Sequence, residues 1–284
     1  MKVINLEQNT QEWLDYRKDK FSASVTPVLF GVGYHKAYQE AYYRYGGGKR
    51  PDISSILAVE LGVEYEPKVR DFINVSLERN FKPIVCEWEQ DGRFIASLDG
   101  YDNGEILEIK VSELGLIAYR KSHEVPLRYM YQIQHQMMVS GVKKALLAIA
   151  YPKYDGTLDI ELINIEPNLT MQDEIKSKWL EFESTYKDKP VDYIALMKVE
   201  ELYEINKRID ALKEQKEEIE TYFKERETDE VFEINNIRLT CYTRNHTHID
   251  YKSIVERNNY EILESDRQTK QTKTIKITEK KEIA

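Results

Sequence analysis

RFIASLDGYDNGEILEIKV, residues Arg93 to Val111, is the stretch from which the fold can be read. It divides into two short runs with alternating apolar residues, separated by Asn103-Gly104. That dipeptide is a strong hairpin signal, because a type I′ turn needs positive φ at both central residues. Two antiparallel strands joined there set Asp102 opposite Glu105. The same register puts Phe94, Ala96 and Leu98 on one face with Leu107, Ile109 and Val111. Asp99 then lies directly across from Glu108 on the other face, with Lys110 two residues on. Like charges so placed, with Cβ atoms about 4.5–5.5 Å apart, destabilise a sheet. Two carboxylates in that position call for a cation between them. From this stretch alone, an ordinary solvated strand face accounts for the same residues.

The chain of 284 residues fits one large domain, or a domain of about 200 residues with an appendage. Hydrophobic content of 41% and charged content of 32% predict a globular protein with a charge-rich surface. No apolar run is long enough to span a bilayer, and no signal peptide is expected. Cys86 and Cys241 lie far apart without metal-ligand spacing, which fits a reduced, cytoplasmic setting. A net charge of −9 argues against a nucleic-acid coat protein. It does not exclude an enzyme that grips DNA locally, since clustered carboxylates repel phosphate only until metal ions neutralise them.

Outward from the hairpin, Glu12–Asp19 has helical character, with Arg17 four residues after Trp13. Ser22 or Ser24 can cap the next helix, whose first turns hold Pro27. Amides at that helix start, with Arg17, would suit a phosphate, although a plain cap and a surface arginine fit equally. The tyrosines Tyr42, Tyr43 and Tyr45 lead into GGGKRP, residues Gly46–Pro51, read as a flexible basic loop. From Ser54 a helical stripe of Ile56, Val59, Val63, Val69, Phe72, Ile73 and Leu77 is interrupted by Pro67. Either the helix kinks at Glu66-Pro67 or a new one starts there. A strand is expected over Lys82–Trp88, a helix over Leu127–Gly141, strands over Ala145–Tyr151 and Leu158–Ile165, then a helix through Ile175, Trp179 and Phe182. This order predicts an α/β (α+β) fold, a mixed central sheet flanked by helices. Val199–Glu227 has the 3-4 apolar spacing of a long helix or coiled coil. Beyond it come a strand (EINNIRLTCYTR), a helix (DYKSIVERN), a strand (KTIKIT) and a lysine-rich tail. The resulting division is 1–198, a long helix or coiled coil over 199–228, and a small C-terminal α/β unit over 229–284.

Trp13…Arg17, Ser22-Ala23-Ser24, Gly62…Tyr65-Glu66, Ser97-Leu98-Asp99-Gly100, Leu107-Glu108-Ile109-Lys110 and Gln132-Ile133-Gln134 stand in the order of a known family. Over residues 8–190 the chain resembles the phage lambda exonuclease, or YqaJ-type viral recombinase, branch of the PD-(D/E)XK nucleases. Leu98 stands where that superfamily's name has proline.

The resemblance implies a restriction-endonuclease-like core and a Mg²⁺ site, with Mn²⁺ as a substitute. Its ligands would be Glu66, Asp99, Glu108 and the Ile109 carbonyl. Lys110 would position the attacking water, Gln134 would be an active-site glutamine, and Arg17, Ser22 and Ser24 would contact a 5′-phosphate. It further implies 5′-to-3′ digestion of linear duplex DNA in phage-type recombination, leaving 3′ single-stranded overhangs for a single-strand annealing protein. A trimeric assembly in a bacterial host's cytoplasm goes with that. Competing readings are a PD-(D/E)XK endonuclease or single-strand nuclease of repair or defence, and a catalytically inactive DNA-binding scaffold.

Overall fold

Turn and cap residues mark most element boundaries in this chain. The computed structural model describes residues 1–226, 228–235, 237–252, 264 and 267–279. It divides into two units, Met1–Met197 and Lys198–Ala284. The first holds β1 (Lys2–Ile4), α1 (Gln11–Arg17), β2 (Phe21–Ser22), α2 (Thr26–Leu29), α3 (Ala37–Tyr45), α4 (Leu57–Ser76), β3 (Lys82–Glu87), β4 (Phe94–Asp102) and β5 (Glu105–Val111). Next come α5 (Glu113–Ser122), α6 (Leu127–Ser140), β6 (Lys144–Pro152), β7 (Leu158–Ile165) and α7 (Leu169–Tyr186). Helix α8 spans Tyr193–Lys224, and β8 (Glu230–Ile234), β9 (Ile237–Ile249) and β10 (Arg267–Glu279) form an antiparallel three-stranded sheet.

Helix starts are fixed by side chains that accept orphan amides: Thr10 from Trp13, Ser112 from Gly115 and Asn168 from Met171. The sheet of the first unit has seven strands in the order β1-β3-β4-β5-β6-β7, with β2 beside β4. β5/β6 and β2/β4 are parallel and the other pairs antiparallel, so the sheet is mixed. One face buries Phe21, Phe94, Leu98, Ile106, Ile133, Met137 and Trp179 beneath α6 and α7. The other packs Leu107, Ile109, Leu146 and Ala148 on Val69 and Ile73 of α4.

Asn103 and Gly104 have φ of 46° and 83° and close the β4–β5 hairpin, with Asp102 opposite Glu105. The regular register then stops at Gly100↔Leu107. Against β3, Tyr101 pairs with Lys82 but Leu98 pairs with Ile84, so β4 spends three residues where β3 spends two. A bulge of this kind reverses which side chains face which layer. Phe94, Ala96 and Leu98 therefore lie in the α6/α7 core, whereas Leu107 and Ile109 lie in the α4 core, and the shared apolar face expected from an unbroken hairpin is corrected. Gly100 sits at the bulge because a Cβ there would lie 2.7 Å from Phe81 Cβ.

Several other expectations change. Ala37–Tyr45 is a helix, so the tyrosines stand on α3 and not in a loop. α4 runs unbroken through Pro67, which leaves the Val63 carbonyl without its helical donor. Val25, not a serine, is the N-cap of the four-residue α2. The strand expected over EINNIRLTCYTR is two strands, folded back at Asn235 with φ 54°. Of the expected helix at 250–258 only 250–252 are described, and the lysine-rich end at 280–284 lies outside the described residues. Leu202, Ile205, Ile209, Leu212 and Ile219 of α8 are exposed. Among the described residues no helix is long and apolar enough to cross a membrane.

Candidate active site

The bulge that ends the regular β4–β5 ladder also builds the acidic site. Where Asp99 would face Glu108 across the ladder, its Oδ2 instead accepts the Ile109 N–H at 2.8 Å. The carboxylate thus takes a backbone donor that the strand partner gives up. Arg70 of α4 donates to the Asp99 carbonyl at 2.6 Å and pairs with Glu66 at 3.2 Å. Glu66 on α4 and Asp99 on β4 are in this way tied through one guanidinium.

Glu108 is buried, with two glutamines one helical turn apart on α6 holding its carboxylate. Gln132 donates to Oε1 at 2.7 Å and Gln136 to Oε2. Lys110, two residues along the same strand face, pairs with Glu108 Oε1 at 2.6 Å and donates to Gln132 Oε1 at 3.0 Å. Burial, then the neighbouring Glu108 and Glu66, push the Asp99 carboxyl well above the usual carboxylate range. Glu66 is raised by burial, against the pull of Arg70. Lys110 loses solvation, but Glu108 and Asp99 outweigh that and hold its ammonium above the ordinary lysine value.

Gln134 does not join this cluster. It lies two positions, about 200°, around α6 from Gln132 and so turns towards α7. There it donates to the Glu166 carbonyl at 2.8 Å and accepts the Asn168 N–H at 2.8 Å, tying β7 to α7. Gln134, expected in the active site, thus lies apart from the carboxylates, and Gln132 and Gln136 are the glutamines beside Glu108.

Arg17, Ser22 and Ser24 do come together. Arg17 donates to Ser22 Oγ at 2.8 Å and Ser24 Oγ at 2.7 Å, and its guanidinium lies 4.1 Å over the Trp13 ring. Both serines face the arginine instead of capping a helix. Sequence reading missed the neighbours that complete this basin. Arg44, Arg50 and Lys18 line the same cavity, and buried Glu40 binds Arg44, both amino groups of Arg50, and His35 at 2.9 Å. The one signal was Glu40 four residues before Arg44 on a helix. Burial, with Arg50 and Arg44 nearby, lowers Arg17 to about 10, which leaves it fully charged at pH 7. Arg50 and Tyr43 also line a cavity reaching Lys110 and Tyr129, and Ser24 shares a smaller one with Lys110 and Gln132. The basic basin therefore adjoins cavities that reach Lys110 and Gln132.

Among the described residues no group of three His, Cys, Asp or Glu side chains is converged enough to hold a metal ion. Glu66 is drawn to Arg70, and Glu108 to Lys110 and the glutamines. The donor chemistry fits a hard divalent cation all the same, since every candidate ligand is an oxygen and the carboxylates crowd each other's charge.

With this geometry described, comparison with known proteins is informative. The model of the YqaJ-like viral recombinase domain matches residues 12–143. Over this segment the chain is similar to that family. The segment contains Arg17, the serines, Glu66, Asp99, Glu108, Lys110 and the α6 glutamines. The alkaline exonuclease LHK-Exo from Laribacter hongkongensis is similar in structure, with a TM-score of 0.52 and 19% identity over 74% of this chain and 100% of that one. LHK-Exo in complex with dAMP gives a TM-score of 0.53 and 20% identity, covering 68% of this chain and 100% of that one. No curated protein sequence matches the chain. The likeness to LHK-Exo is one of fold.

Proposed function

We propose that this YqaJ-like chain is a Mg²⁺-dependent exonuclease that degrades linear duplex DNA from its 5′ ends and leaves 3′ single strands for an annealing partner. The observation that carries the proposal is the joining of two opposite sites by shared cavities. Lys110, which pairs with buried Glu108, lies at one end, and Arg17 with Ser24 and two further arginines lies at the other. A terminal phosphate in the basin would sit one chain direction away from a phosphodiester beside Lys110, which is what an end-directed enzyme requires.

Asp99, Glu108 and Glu66, with the Ile109 carbonyl, would hold the divalent cation. When bound, that ion supplies Lewis-acid stabilisation of phosphate and leaving-group charge. The Lys110 ammonium holds the attacking water and faces the charge that develops on phosphate. Gln132 fixes Lys110 and Glu108 relative to one another, since it donates to one and accepts from the other. Arg17, Ser22 and Ser24 bind the terminal phosphate by charge-assisted hydrogen bonds.

The test uses linear duplex labelled at the 5′ or 3′ end, and a closed circle, incubated with Mg²⁺. Expected are early release of the 5′ label, retention of the 3′ label and an intact circle. Asp99→Ala, Glu108→Ala and Lys110→Ala should each abolish hydrolysis while leaving the fold intact. Full activity in any of the three refutes the site, and cutting of the circle favours an endonuclease.

A further inference from the structure

Strands β9 and β10 pair over thirteen positions each, from Ile237↔Glu279 to Ile249↔Arg267. In a chain of net charge −9, these 26 residues carry six Lys or Arg, two His and one acidic residue, Glu279. The register sorts them by face, because directly opposed residues share a side of the sheet. One face takes the positions of Ile237, Leu239, Ile249, Ile275, Ile277 and buried Cys241, together with those of Arg267, Lys273 and Glu279. The other takes Arg238, Arg244, His248, Lys270 and Lys276, with threonine at four of its remaining positions and no carboxylate from either strand.

Arg238, Arg244, His248 and Lys270 are exposed. Arg238 pairs with Glu233 of β8 at 3.5 Å. Among the described residues Arg244 and Lys270 have no carboxylate within ion-pair distance, and Arg244 lies 5.8 Å over the Tyr242 ring. A core-forming sheet needs polar residues on its wet side, but it does not need them all of one sign. Alternating Glu and Lys across the strands would stabilise the pair better than uncompensated cations.

We propose that this face is a second binding site, which holds the phosphate backbone of duplex DNA. The inference rests on the reading of the chain as a DNA enzyme and adds a contact that the catalytic unit does not supply. Arg244 and Lys270 form one group and Arg238 a second, six residues along β9, about 20 Å at the rise of a strand. One DNA strand places a phosphate about every 3.4 Å, so the two groups span about six nucleotides. Threonine hydroxyls between them are the small donors that phosphate contacts use. Beyond Cys241, where β8 no longer pairs and only β9 and β10 continue, a two-stranded ribbon also fits the width of the major groove. Only one aromatic residue, Tyr242, stands on the face, too few for the stacking by which single strands are held. Such a grip keeps the enzyme on its substrate between cleavage events, when the terminal phosphate is being exchanged.

The test uses the full chain in EDTA and a fluorescent duplex closed by hairpin loops at both ends, so that no 5′ end is available. Wild type is expected to bind it, with an affinity that falls steeply as salt rises. Arg244→Ala with Lys270→Ala should weaken binding at least tenfold at 50 mM salt and lower the slope of log K against log salt by about 1.8, two contacts at about 0.9 each. Arg244→Lys with Lys270→Arg should restore both. Circular dichroism and melting temperature confirm that the variants fold. An unchanged slope in the folded double variant, or wild type that prefers an acidic polypeptide to the closed duplex, overturns the proposal. Hydrolysis of open duplex with Mg²⁺ is scored separately. Its absence in wild type refutes the exonuclease reading, whereas its persistence beside an unchanged slope refutes only the ribbon.

Discussion

Replacing Glu40 by glutamine tests the electrostatic logic of the basic basin. The Glu40 side chain is 0% exposed and meets Arg44, which is 3% exposed, and Arg50, which is 48% exposed. Glu40→Gln keeps the shape and removes the charge, leaving three arginines and a lysine crowded around a neutral amide. Breaking a buried ion pair from one side costs about 3–5 kcal/mol. Arg44 retains the Lys18 and Lys20 carbonyls as acceptors at 3.3 and 2.9 Å, so the lower end, about 3 kcal/mol, is expected. For a unit of this size each kcal/mol shifts melting by about 2–4 °C, which gives a loss of about 6–12 °C at pH 7.

The sign of the pH dependence follows from Glu40. His35 and the arginines hold its carboxyl far below its ordinary value of 4.5, despite its burial. Its contribution is complete above pH 4.5 and is lost as pH falls towards the folded-state value. The difference between wild type and Glu40→Gln should therefore be largest at neutral pH and shrink in acid. Urea denaturation at pH 7 and pH 4 measures both. Inorganic phosphate, which replaces the lost negative charge, should raise the melting temperature of the variant more than that of wild type. A loss below about 1 kcal/mol at pH 7, or a gap that widens in acid, would refute the reasoning.

Gln132→Ala, by releasing Glu108 and Lys110, should slow hydrolysis by about 10–100-fold without a comparable change in stability. Gln134→Ala should do the opposite, leaving turnover intact and costing about 1–3 kcal/mol as the Asn168 N–H and Glu166 carbonyl lose their partner. Equal rates in the two variants would contradict the assignment of the glutamines. Arg17→Ala should remove the preference for 5′-phosphorylated over 5′-hydroxyl ends, read from competing initial rates; an unchanged preference would rule out the phosphate role. Burial lowers His135 to about 3, against 6.5 in the unfolded chain, and it lies 2.7 Å from Thr26 Oγ1. Stability should be full above pH 6.5 and fall by up to about 5 kcal/mol as pH drops towards 3, and His135→Phe should flatten that part of the urea-midpoint curve.

Local chemistry was enough to define the hairpin. Positive φ at Asn103 and Gly104 needs no tertiary contact, and residues two apart on a strand share a face, so Lys110 beside Glu108 was legible at once. Helix α6 and strand β7 follow from periodicity in the same way, whereas of the stripe expected on α4 only Val69 and Ile73 are buried and Ile56, Val63, Phe72 and Leu77 are exposed. The α3 helix was hidden by its tyrosines and the glycines after it, and is held by the Glu40 ion pairs. The three glutamines of α6 show the limit most plainly. Their spacing tells which two share a face, but not which face meets Glu108.

What this sequence determined by itself is therefore whatever depends on neighbours along the chain: the turn, the spans of the strongly periodic elements and the pairing of Glu108 with Lys110. Tertiary structure decided that β4 bulges at Gly100, that Asp99 leaves its register to take the Ile109 amide, that Gln134 is turned aside, and that Glu40 gathers arginines from two segments. Those outcomes depend on Phe81 pressing against Gly100 and on which helix covers which side of the sheet. These are contacts between residues far apart in sequence, whose energies no local pattern encodes.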